Sequence, residues 1–141
     1  MTMKYLLDSN IIIHLFRDAF GVRGKIQEAG WDNCCISQIT QIELLYGAEL
    51  SANREKNYSQ VSDFLSSIHI VPIDGAIPLF CQQKAMLKKC GTMIDDFDLL
   101  IATTAVANNF VMVTENVKHF SKVDGITIEN WVCRQPFAQK G

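Results

Sequence analysis

The sequence predicts an α/β protein of three layers, with helices on both faces of a central, mainly parallel, five-stranded sheet. Three observations predict it. Short apolar runs alternate with helical stretches along the whole chain. Each parallel crossover needs such a helix, and right-handed crossovers lay it back onto a face of the sheet. The short runs are apolar throughout, as in "YLL" and "FVMV", which is the pattern of strands buried on both faces.

The elements follow in order. "KYLLD" (4–8) is a short apolar strand. "NIIIHLFR" and "GKIQEAG" are helical, the second closed by Gly30, since glycine readily takes the conformation that ends a helix. "NCCIS" (33–37) is the second strand. "QITQIELLYGAELS" (38–51) is a helix with Ser37 as its N-cap. "NREKNYSQVSDFLSSI" (53–68) is a longer helix with Val61, Phe64, Leu65 and Ile68 on one face. "IHIVPI" is the third strand. "AIPLFCQQKAMLKKC" (76–90) is a helix between Asp74 or Gly75 and Gly91. "DDFDLLIATTAVANN" (95–109) is an Ala/Thr-rich apolar helix of the kind buried between layers. "FVMVT" (110–114) and "GITIENW" (125–131) supply strands four and five.

A chain of 141 residues with 48% hydrophobic and 20% charged residues suits one globular domain, read here as 1–134 with a short tail over 135–141. No apolar run reaches the length of a membrane span, and "YLL" is too short for the core of a signal peptide. Five cysteines in no paired metal spacing read as reduced, mostly core-packing thiols of a cytoplasmic protein. A net charge of -2 does nothing to favour nucleic acid, yet a divalent cation on acidic residues reverses the sign of a site locally.

The acids fall where such an architecture binds ligands, outside the carboxyl ends of the strands. Asp8 closes strand one, Glu43 lies in the helix after strand two, and "TEN" (114–116) follows strand four. Asp95, Asp96 and Asp98 open the helix that leads back into strand four. That helix covers about 18 Å and a strand about 17 Å, so its N-terminus returns to the same end. Asp8, Glu43, Asp98 and Asn116 thus gather at one end of one sheet. Each also has a plain structural reading. Asp8 caps the next helix, Thr40 and Glu43 form a capping box, the three aspartates favour a helix dipole, and Asn116 turns the chain. Convergence favours the site. Apart from Lys4, no Lys or Arg lies within several residues of Asp8, Glu43 or Asp98, and unpaired carboxylates repel. A hard cation that prefers oxygen ligands, Mg²⁺ or Mn²⁺, resolves that repulsion.

"LLDSNIIIHL", "ISQITQIELLYGAE", "DDFDLLIATTA" and "VTENVKHFSKVDGITIENW" occur in that order with suitable spacing. Together, over about residues 4–131, they resemble the PIN-domain ribonucleases, and within them the VapC-type toxins of type II toxin–antitoxin systems. The resemblance implies a PIN-like fold and a metal-dependent endoribonuclease, with Mg²⁺ or Mn²⁺ held by Asp8, Glu43 and Asp98. The fourth family position falls at Asn116, where many members have Asp; the missing charge makes a one-metal site the expectation. Ser9 and Thr114 would orient the ligands, and Asp95 or Asp96 would support them from behind. RNA would be met by Arg17, Lys84, Lys88, Lys118, Lys122 and His119. The implied reaction is in-line attack of water on an RNA phosphodiester, with tRNA or rRNA as substrate and Asp98 or Glu43 as proton acceptor. The implied partners are a second copy of the chain and a cognate VapB-type antitoxin, seated near the helices at 38–50 and 54–68.

Three rival readings meet obstacles in the residues. A haloacid-dehalogenase-like phosphatase needs a second acid two residues after Asp8, where Asn10 stands. A receiver domain needs an acid pair after strand one, which is absent. A non-catalytic binding module on the same fold is opposed by the three acids at the expected site.

Overall fold

The computed structural model describes residues 4–134, so the tail expected over 135–141 lies outside the described residues. Its strands are β1 (Tyr5–Leu7), β2 (Cys34–Ser37), β3 (His69–Val71), β4 (Val111–Val113) and β5 (Ile128–Glu129). Its helices are α1 (Ser9–Phe16), α2 (Val22–Ala29), α3 (Gln38–Leu50), α4 (Arg54–Leu65), α5 (Ile77–Lys89), α6 (Asp96–Ala107) and α7 (Val117–Phe120). The sheet runs β3-β2-β1-β4-β5. The sheet expected to be mainly parallel is parallel at every pairing, with Leu6 opposite Cys35 on one side and Met112 on the other.

Alternation along the strands splits the core into two. Leu7, Cys34, Ile36 and Val113 face one layer, with Ile11, Ile12 and Leu15 of α1, Val22 and Ile26 of α2, and Val61 of α4. Leu6, Cys35 and Met112 face the other, with Leu99, Ile101, Ala102 and Ala105 of α6 and Phe120 of α7. Both faces are therefore dry, which is why the strands carry no polar residue between Tyr5 and Leu7 or Val111 and Val113. α3 contributes to both layers, Ile39 to the second and Leu44 with Ala48 to the first.

Several boundaries shift from the sequence expectation. β1 stops at Leu7, one residue before Asp8. The Asp8 N–H still donates to Val113 O at 2.9 Å, so the ladder runs one bond further than the strand. "GITIENW" reduces to the two residues of β5, and the short α7 was not foreseen. The strand order reverses at β1 and β4: the chain runs outward to β2 and β3 on one side and to β5 on the other. The crevice outside the carboxyl ends of β1 and β4 is the switch point where such sheets bind ligands.

Ser37 caps α3 as expected. Fully buried, its hydroxyl accepts from the N–H groups of Ile39 at 3.0 Å and Thr40 at 3.2 Å. Ser37→Ala is expected to cost about 1–2 kcal/mol of stability, because it strands two buried donors. Urea unfolding of the variant beside the parent chain checks this.

Candidate active site

Asp8 is 4% exposed. It is the N-cap of α1: Oδ1 accepts from the Ser9 N–H at 2.8 Å, and Oδ2 from the Thr114 hydroxyl at 2.8 Å and the Asn10 amide at 3.4 Å. All of these donors are neutral. The plain capping reading of Asp8 is thus correct, and the carboxylate nonetheless sits at the switch point with no Lys or Arg among its hydrogen-bond partners. Burial pushes its carboxyl above the ordinary value against the bonds from Thr114 and Ser9, and the charge of Asp98 adds to the rise.

Glu43 comes from the second turn of α3. Its Oε1 accepts from the Ser9 hydroxyl at 2.7 Å, which links α3 to the start of α1. The capping-box reading of Thr40 and Glu43 fails, because Ser37 takes the cap and Thr40 lies inside the first turn, its buried hydroxyl without a partner. Burial raises the Glu43 carboxyl; Asp8, Asp98 and Asp95 push the same way against the Ser9 bond.

Asp98 comes from the first turn of α6, with Oδ2 3.2 Å from His119 Nε2. Partial burial raises its carboxyl, His119 opposes the rise, and Asp95 adds to it. Asp95 itself is the exposed N-cap of α6 and accepts from the Phe97 N–H at 3.1 Å. One of its oxygens thus serves its own helix, and its charge acts on Glu43 and Asp98. Asp96 is paired with Lys84 at 2.9 Å.

Thr114 stands between two site residues. It donates to Asp8 and accepts from the Asn116 N–H at 3.0 Å. Asn116 is exposed at the mouth. The basic residues do not act together. Arg17 shares a groove with Glu43. Lys84 is occupied by Asp96, Lys88 lies one turn further along α5, and Lys118 is exposed on α7. His119, expected at the RNA, faces Asp98 and stays partly exposed. Sequence reading missed this contact, since α7, which presents the ring, was not expected.

Among the described residues, no Lys or Arg pairs with Asp8, Glu43 or Asp98. Nor is any group of three or more His, Cys, Asp or Glu side chains there gathered tightly enough to hold a metal ion as it stands. The donor chemistry still fits a hard dication. The acids offer oxygen only, one of them is buried without a counter-charge, and the charges of Asp8 and Asp98 both raise the Glu43 carboxyl. Mg²⁺ keeps several waters and is held by one or two carboxylates, so it does not need a closed protein cage.

A doubly wound parallel sheet with acids gathered at its switch point defines a class: an α/β protein with a candidate active site outside the strand ends. Comparison with known proteins narrows it. The PIN domain matches residues 5–126. Ribonuclease VapC2 of Haemophilus influenzae is 36% identical over 133 residues, 92% of this chain and 99% of that protein. The tRNA(fMet)-specific endonuclease VapC of Salmonella typhimurium is 32% identical over 130 residues, 92% and 98% of the two chains. In the crystal structure of DNA-bound VapBC from Salmonella typhimurium, one chain superposes with a TM-score of 0.85 at 34% identity, covering 92% of this chain and 98% of that one. The chain belongs to the PIN-domain family, in its VapC branch.

A carboxyl raised in the fold contributes stability that is present below its unfolded value and lost as pH climbs through its folded value. In EDTA, Asp8, Glu43 and Asp98 should therefore destabilise the chain increasingly toward neutral pH. Asp8→Asn, which preserves the cap, and Asp98→Asn should each raise the melting temperature in EDTA at pH 7.5 by a few degrees. The gain should shrink toward pH 5. Calorimetry decides it, and an unchanged or lower value in both variants would mean the acids are internally paired.

Proposed function

We propose that this chain is a Mg²⁺- or Mn²⁺-dependent endoribonuclease, the toxin of a toxin–antitoxin pair, acting in the cytoplasm on structured RNA. One observation carries the reading: three carboxylates from distant parts of the chain converge on the switch point, and among the described residues no Lys or Arg pairs with them. The name of one relative, a tRNA(fMet)-specific endonuclease, makes tRNA the first substrate to test, with rRNA as the second.

Asp8, Glu43 and Asp98 would hold the cation. When bound, it would polarise the scissile phosphate and lower the pKa of water near it. The chain's own residues do the rest. Thr114, Ser9 and Asn10 fix the Asp8 carboxylate so that it does not reorganise during the reaction. Glu43, with one oxygen on Ser9, or Asp98, beside His119, takes the proton of the attacking water. Asn116 brings an amide rather than a fourth charge to the mouth, in keeping with one metal. Arg17, Lys88 and Lys118 would meet the RNA backbone as solvated charges, while Lys84 is drawn toward Asp96.

The groove between α1, α3 and α4 is lined by Ile13, Phe16, Arg17, Leu44, Gly47 and Val61, and it reaches Glu43. A helix or extended segment of a VapB-type antitoxin laid there would cover that acid. Structures such as the VapBC complex of Salmonella typhimurium support a partnered toxin. A homodimer belongs to the same reading; the exposed Ile42, Tyr46 and Leu50, one turn apart along α3, supply an apolar face for protein contact.

Cleavage of RNA should require Mg²⁺ or Mn²⁺ and fall to background in Asp8→Asn and Asp98→Asn. Sequencing RNA ends after induced expression in a bacterial host tests activity and finds the substrate together. Wild-type-like cleavage by both variants would sink the assignment.

A further inference from the structure

Glu115 stands in the turn that carries Thr114 and Asn116, yet none of its contacts is with the acids. Its Oε1 lies 3.0 Å from His14 Nε2, and its Oε2 accepts from Arg134 Nε. Its N–H reaches Asn10 Oδ1 at 3.5 Å, and the Asn10 amide donates to Asp8. His14 lies one helical turn beyond Asn10, so one face of α1 grips the turn at two places. The Glu115 and His14 side chains are only 23% and 12% exposed.

Arg134 is held in turn. Its guanidinium lies 4.3 Å from the centroid of Phe20, while the His14 ring meets Phe20 edge-on at 4.8 Å. The Cys133 N–H donates to Phe20 O at 3.1 Å. Phe20 has φ 58°, with Asp18 at 52° and Gly21 at 73° beside it. A bulky residue keeps a left-handed backbone only where its surroundings over-determine it. Here a ring contact from α1, a cation over the face, and a backbone bond from residue 133 do so. The segment 131–134 is thus strapped across the α1–α2 turn, with Arg134 aimed at Glu115.

An exposed Arg–Glu pair contributes little to stability by itself. This one shares its backbone with the two residues that shape the site. We propose that Glu115, clamped by His14 and Arg134, is a positioning residue: it fixes the turn that presents Thr114 to Asp8 and Asn116 to the mouth. Loss of the clamp lets the Thr114–Asp8 bond loosen and weakens the hold on the cation. This rests on the ribonuclease reading only in that the same acids bind the cation.

The test uses the full chain and Mn²⁺ as probe, followed by the loss of the free-ion electron paramagnetic resonance signal. Glu115→Ala and Arg134→Ala should weaken Mn²⁺ binding about 10-fold, the scale seen when groups behind metal ligands are removed. The Mn²⁺ needed for half-maximal RNA cleavage should rise equally, with KM for RNA unchanged. Glu115→Gln, which still accepts from Arg134, should recover part of the loss. Wild-type Mn²⁺ affinity in both alanine variants, with only a lowered melting temperature, overturns the proposal. If the parent chain binds Mn²⁺ but leaves RNA intact, the ribonuclease reading falls, and the Mn²⁺ series still decides the role of Glu115.

Discussion

The structure turns on one buried carboxylate. Asp8 lies where β1 ends, enclosed by apolar residues and held by neutral donors only. A lone charge in such a place is costly. The fold meets part of that cost with the first turn of α1, whose N–H groups and dipole face the carboxylate, and part with the Thr114 hydroxyl from β4. What remains is a site short of positive charge. Lys or Arg would supply it and remove the reason for a cation to bind.

The acids are linked by a pattern that their chain positions hide. Ser9 follows Asp8 but holds Glu43. Thr114 lies just before Asn116 but holds Asp8. His119 lies just after Asn116 but holds Asp98. Each support therefore belongs to the segment of one site residue and serves another. The ends of β1 and β4, α3 and α6 are tied through side chains, not only through the sheet. A shift of one segment therefore moves the site residue of a second, so the acids keep or lose their arrangement together.

How much of this was legible in the sequence depends on the kind of signal. Strand and helix order was legible because each apolar run is short, unbroken and followed by a helical stretch; the strand reversal then put Asp8 and the "TEN" turn side by side. The Ser37 cap was legible because a hydroxyl before an apolar periodic run has few other uses. Thr40 and Glu43 misled, since the capping-box spacing is short enough to occur inside a helix as well as at its start. For Asp95 the spacing stops short: sharing a helix face with Asp98 does not say whether a side chain turns outward or back onto its own N–H groups. His119 and Glu115 were out of reach for a different reason. Their roles depend on α7 and on the strap at 131–134, whose positions come from tertiary packing around Phe120 and Phe20 and not from local periodicity.

The neutral Asn116 follows from the same electrostatics. Burial raises all three carboxyls; Asp98 adds to the rise at Asp8, Asp8 and Asp98 add to it at Glu43, and Asp95 adds its charge at Glu43 and Asp98 from the cap of α6. A fourth carboxylate at the mouth would add repulsion in the metal-free chain and favour a second cation. An amide keeps a polar oxygen there without that charge. Asp96, the acid that might have added more repulsion, is drawn off by Lys84 on α5. The charge balance of the site is thus set from outside it as well as within: one neighbouring acid is neutralised, one is spent on a helix cap, and the three that reach the crevice have no Lys or Arg partner among the described residues.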